Sequence, residues 1–96
     1  MDAKAFLELA HRYEYKESSI KDFKKALDLI FPFLSSKLRL SGDTYFQHHL
    51  NVGIILMQSN SSPEIVLAGL LHSTIKFGLG EHIEKIFGKE ILNLVE

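Results

Sequence analysis

A chain of 96 residues, 46% hydrophobic and 24% charged with a formal net charge of −1, reads as one small globular domain. Cysteine is absent, which excludes a disulfide framework and a thiolate zinc site. No apolar run reaches the roughly 18 residues of a membrane span, the start Met1-Asp2-Ala3-Lys4 lacks a signal-peptide layout, and the only basic cluster, Lys21, Lys24 and Lys25, is diluted by Asp22 and Asp28. A cytoplasmic protein with neither nucleic-acid nor membrane partners is expected.

Met1 to Lys16 places Phe6, Leu7, Ala10 and Tyr13 on one helical face, with Asp2 where an acid suits the helix dipole. Ser19 followed by Asp22 resembles a capping box and predicts the start of a second helix that buries Ile20, Phe23, Leu27 and either Ile30 or Phe31. Pro32 predicts a kink or local break, since its ring removes a donor and crowds the preceding turn. Phe33, Leu34 and Leu38 are expected to add one more turn beyond it.

Leu40-Ser41-Gly42-Asp43 reads as a turn, with Gly42 as its turn residue rather than a phosphate cradle. Tyr45 to Gln58 and Pro63 to Phe77 then form two helices joined by Ser59-Asn60-Ser61-Ser62, with Ser62 as N-cap and Pro63 at the first helical position. Tyr45, His48, Val52, Ile55 and Leu56 recur at helical spacing in the first, and Ile65, Ala68, Leu71 or His72, and Ile75 in the second. Helices joined so tightly pack side by side, which lets His48 and His72 face each other across one seam. His49 is expected at the helix edge or in solvent, and His11 and His82 are expected to be solvated. After Gly78-Leu79-Gly80, Glu81 to Phe87 turns Ile83, Ile86 and Phe87 inward, and Lys89 to Glu96 is a last amphipathic segment. Nothing reads as strand. The expected fold is an all-α bundle of five to six helices over residues 1–96. The apolar final segment is too short to be stable alone, so the parent protein is expected to continue beyond Glu96.

The segment Arg39-Leu40-Ser41-Gly42-Asp43-Thr44-Tyr45-Phe46-Gln47-His48 follows the pattern Arg-x-Ser-Gly-acid-x-Tyr-x-x-His, and Leu70-Leu71-His72-Ser73 follows Leu-Leu-His-Asp at the matching interval. In these motifs, and in the stretch Ile83 to Val95, the chain resembles the HD-domain hydrolases, specifically the ppGpp hydrolase domain of RelA/SpoT-type stringent-response proteins. The resemblance implies an HD-like bundle, here the N-terminal part of the hydrolase domain. It implies His48 and His72 as ligands of a divalent ion, usually manganese, and Arg39, Ser41 and Tyr45 beside a guanine nucleotide (ppGpp, GDP or GTP).

The departures from the pattern carry as much meaning as the matches. Ser73 stands where the family has an aspartate ligand, and a neutral hydroxyl is a poor donor to a hard cation. Lys76 and Phe77 stand where the family has its catalytic Glu-Asp pair. No catalytic residue therefore survives in this segment. The readings that follow are a degenerate, catalytically silent domain that senses a nucleotide or supports a neighbouring synthetase domain, an active manganese-dependent ppGpp 3′-pyrophosphohydrolase, or a small helical module that forms a homo-oligomer. His48 and His72 stay open between core packing, a metal-free nucleotide pocket, and a metal site in which Asp43 or a residue outside the chain supplies the missing charge.

Overall fold

In a computed structural model describing residues 1–96, the Asp2 carboxylate accepts from the Ala5 amide at 2.8 Å and opens α1 (Ala3–Arg12). An acceptor in that position satisfies one of the unpaired amides of the first turn. The helix stops four residues earlier than its apolar pattern suggests, with Glu14 in a left-handed conformation (φ 64°). Tyr13 is consequently exposed rather than on the core face, and Tyr15 replaces it. The Tyr15 ring meets Phe23 edge-on at 5.6 Å and its hydroxyl donates to the Ser61 carbonyl at 2.7 Å. Partial burial raises the pKa of that phenol.

The second helix, α2 (Glu17–Leu34), begins at an extended Lys16, so Ser19 lies inside its first turn and caps nothing. It also runs through Pro32. The carbonyl that loses its partner there belongs to Asp28, and both residues face water, which can take over the lost hydrogen bond. Phe33 and Leu34 continue the helix as expected, but Leu38 does not join it. Leu38 instead pairs with Thr44 in a single antiparallel bridge, closing the tight loop Arg39–Asp43 around Gly42 (φ 96°).

Thr44 accepts from the Gln47 amide at 3.0 Å and starts α3 (Tyr45–Gln58); Ser62 and Pro63 start α4 (Pro63–Leu71), as the sequence predicts. The buried faces differ from the expected ones. In α3 the core residues are Phe46, His49, Leu50, Gly53 and Met57, while Ile55 is exposed; in α4 they are Val66, Leu67, Leu70 and Leu71, while Ile65 is exposed, as is Ile75 beyond the helix end. Both helices are apolar almost all round, so spacing alone does not choose a face. Close approach does. A Cβ on Gly53 would lie 2.8 Å from Leu70 and from Phe6, and one on Gly69 would collide with Leu56.

The chain ends in α5 (Gly80–Phe87), with Ile83 buried but Ile86 turned outward, and α6 (Lys89–Val95), which docks Ile91 near α4. Six helices and no strand make up the fold, and none of the helices is long and apolar enough to cross a membrane. Phe6, Phe23, Leu27, Ile30, Leu50, Met57 and Leu70 fill its centre.

Gly53→Ala is expected to destabilise the protein by about 1–3 kcal/mol in denaturant unfolding, because Phe6 and Leu70 are themselves fully buried and cannot move aside. Gly69→Ala should cost less, since Leu56 is only partly buried and can swing outward. Leu40→Ser, at the exposed loop tip, should stay within about 0.5 kcal/mol of the parent.

Candidate functional site

The site is built on the abrupt end of α4. The helix does not run on to Phe77 as the sequence spacing suggests. It ends at Leu71, because His72 turns extended (ψ 148°) and Ser73 adopts a left-handed conformation (φ 62°), before a 3₁₀ turn at Ile75–Phe77. A helix end leaves its last carbonyls without partners. Here three of them are taken by side chains. Nδ1 of His72 donates to the Gly69 carbonyl at 2.6 Å, Nδ1 of His49 to the Leu70 carbonyl at 2.7 Å, and the buried Thr74 hydroxyl to the Leu71 carbonyl at 2.6 Å.

A carbonyl only accepts, so Nδ1 carries the proton in both rings and Nε2 keeps the lone pair while the ring is neutral. The His49 and His72 rings stack, with centroids 4.0 Å apart and planes 14° from parallel. His48 meets His72 edge-on at 5.4 Å. The expected pairing of His48 with His72 is thus present, and His49 is the third member. It is 2% exposed, not at the helix edge. Its place was legible in one signal, since His49, Gly53 and Met57 form a stripe at spacing four that the histidine-first reading passed over.

Arg39, Tyr45, His48, His49, His72, Ser73, Lys76 and Phe77 surround one cavity of about 230 Å³. Ser41 is not in its wall. Its hydroxyl donates to Asp43, which also takes the Arg39 guanidinium at 3.1 Å. Those contacts, the Ser41 hydroxyl first, hold the Asp43 carboxyl below its usual pKa. The Lys37 ammonium lies over the Phe77 ring, 3.8 Å from its centroid, and Lys76 lies 5.4 Å from the same centroid.

Burial, helped by the charges of Arg39 and His72, lowers the pKa of His48. Burial also lowers His49, to about 4, against the opposing pull of its bond to Leu70. These residues do not fit the divalent ion that the motifs imply. The wall offers imidazoles and a hydroxyl but no carboxylate, Asp43 is committed to Arg39 and Ser41, and no three acidic or imidazole groups are disposed to hold a metal ion.

The HD domain family matches residues 26–96, which include every residue of the cavity. The chain belongs to the HD-domain family. Among curated relatives, the probable chloroplastic GTP diphosphokinase RSH3 of Oryza sativa subsp. japonica is 34% identical over 88 residues, covering 90% of this chain and 12% of its own length. A guanosine-3′,5′-bis(diphosphate) 3′-pyrophosphohydrolase of Spiroplasma citri is 33% identical over 86 residues, covering 88% of this chain and 12% of its own. The GTP pyrophosphokinase rsh of Brucella ovis is 40% identical over 63 residues, or 64% of this chain and 8% of its own. This HD domain therefore spans about an eighth of the length of such relatives. They are RelA/SpoT-type proteins, in keeping with the motifs around Arg39, His48 and His72.

The histidine cluster makes the stability of this HD domain depend on pH. His49 takes up its proton near pH 6.5 when unfolded but only near 4 when folded, so the unfolded chain binds more protons between those values. Stability should be complete above about pH 6.5 and fall as pH drops towards 4, by at most about 3 kcal/mol from this group. His49→Gln keeps a donor for Leu70 but does not titrate. The difference between parent and variant in urea midpoints across this range measures the effect, and parallel curves would show that His49 is not the group responsible.

Proposed function

We propose that this HD domain is a catalytically silent relative of the ppGpp hydrolases that acts in the cytoplasm in ppGpp metabolism, either sensing a guanine nucleotide by binding it or supporting a neighbouring synthetase domain. The observation that carries this reading is the composition of the cavity. The motif residues Arg39, Tyr45, His48 and His72 gather around one space, while Ser73, Lys76 and Phe77 occupy its wall where the family pattern has acids. The shape suits a nucleotide end. The wall lacks both a general base and an anionic metal ligand.

In this reading the Arg39 guanidinium, half-exposed at the cavity mouth, stacks on the guanine, and Tyr45 borders the same space. Ser41 acts at one remove by holding Asp43, and with it the orientation of Arg39. The names of the relatives support the ligand class, since they refer to guanosine-3′,5′-bis(diphosphate) and GTP.

A second reading, a manganese-dependent pyrophosphohydrolase, has one observation in its favour. Commitment of Nδ1 to a backbone carbonyl, as in His72, is the arrangement that leaves Nε2 ready to ligate a metal.

Isothermal titration with ppGpp, GDP and GTP should show one saturable site, weakened about tenfold or more in Arg39→Ala, and no phosphate release on adding manganese. Absence of heat with all three nucleotides would remove the sensing role. Manganese-dependent phosphate release that disappears in His72→Ala would establish the enzyme instead.

A further inference from the structure

The cavity wall holds one cationic side chain, Lys76, that no acid neutralises. It contains Arg39 and Lys76 and no carboxylate, and only Arg39 has an ion-pair partner. Lys76 pairs with no acidic group, and neither does Lys37 beyond the Phe77 ring. Nε2 of His49 and of His72 makes no hydrogen bond within the protein; His49 is buried and His72 is half-buried. Ser73 adds an exposed hydroxyl. A space of about 230 Å³ is smaller than the roughly 300 Å³ at which pockets for drug-sized ligands begin, so it fits the end of a nucleotide rather than the whole.

We propose that this cavity captures a phosphate or diphosphate group directly on protein donors, with the Lys76 ammonium supplying the positive charge and no bridging metal ion. The Lys76 ammonium and the Ser73 hydroxyl donate to phosphate oxygens, and charge-assisted donors such as the ammonium are the stronger ones. A protonated phosphate oxygen finds an acceptor in the Nε2 lone pair of a neutral His72. The Phe77 ring forms an apolar part of the wall 5.4 Å from the Lys76 ammonium. An acid at position 76 favours a cation in this space; a lysine favours an anion. The inference rests on the nucleotide reading above and specifies how its phosphates are held.

The test is titration of the whole chain with inorganic pyrophosphate in EDTA, beside the same titration with GDP. Saturable binding of pyrophosphate without metal is expected, weakened about tenfold or more by Lys76→Glu, largely kept by Lys76→Arg, and unchanged by Lys85→Glu on α5 outside the cavity. Lys76 is exposed, so these variants should fold, which circular dichroism checks. No binding in EDTA, or an equal loss from Lys85→Glu, would overturn the inference. Nucleotide binding that appears only with manganese would overturn it while leaving the nucleotide reading in place. Pyrophosphate binding with GDP no tighter than pyrophosphate would support it and count against guanine recognition.

Discussion

The C-terminus of α4 governs the arrangement of the whole site. Its last carbonyls, those of Gly69, Leu70 and Leu71, face inward, where unpaired polar groups are costly, and each is matched by a side chain. Two of those side chains are histidines from different elements, so one capping arrangement fixes both rings, their tautomers and their stacking. This requires α3 and α4 to lie close together, and Gly53 and Gly69 permit that. The left-handed Ser73 is the cost of turning the chain at this point, of order 1 kcal/mol or more for a residue with a Cβ.

Given that frame, the chemistry of the site depends on which charges line it. A divalent ion needs carboxylate ligands to offset its dehydration, and water activation needs a base with a pKa near neutrality. The wall of this cavity offers instead an ammonium, a guanidinium already paired with Asp43, and imidazoles, of which burial disfavours protonation in His48 and His49. On the proposal above, such a lining takes an anion in place of a cation. The same backbone frame can therefore serve a ligand of the opposite charge.

Much of this was legible in the residues and some was not, for identifiable reasons. Ser62-Pro63 marks a helix start because capping is local chemistry. The motifs around Arg39, His48 and His72 located the cavity. The rotation of α3 and α4 was missed because Ile, Leu, Val and Met surround both helices, and only the two glycines record which sides touch. The stop at Leu71 was missed because no proline or glycine marks it; Thr74 and the His72 ring end the helix through contacts that exist only once it has folded. Adjacency to His48 does not keep His49 out of the core. Neighbouring residues on a helix point about 100° apart, yet a buried helix can direct both into one interior.

The proposed silent HD domain is one whose cradle keeps its shape while its affinity for a metal ion has gone with its acids. Manganese titration followed by the electron paramagnetic resonance signal of the free ion tests it most directly, using the parent chain and a variant carrying Ser73→Asp, Lys76→Glu and Phe77→Asp together. The account predicts that the parent leaves the free-ion signal intact and that the variant depletes it. Depletion by the parent, abolished by His48→Ala or His72→Ala, would contradict the account.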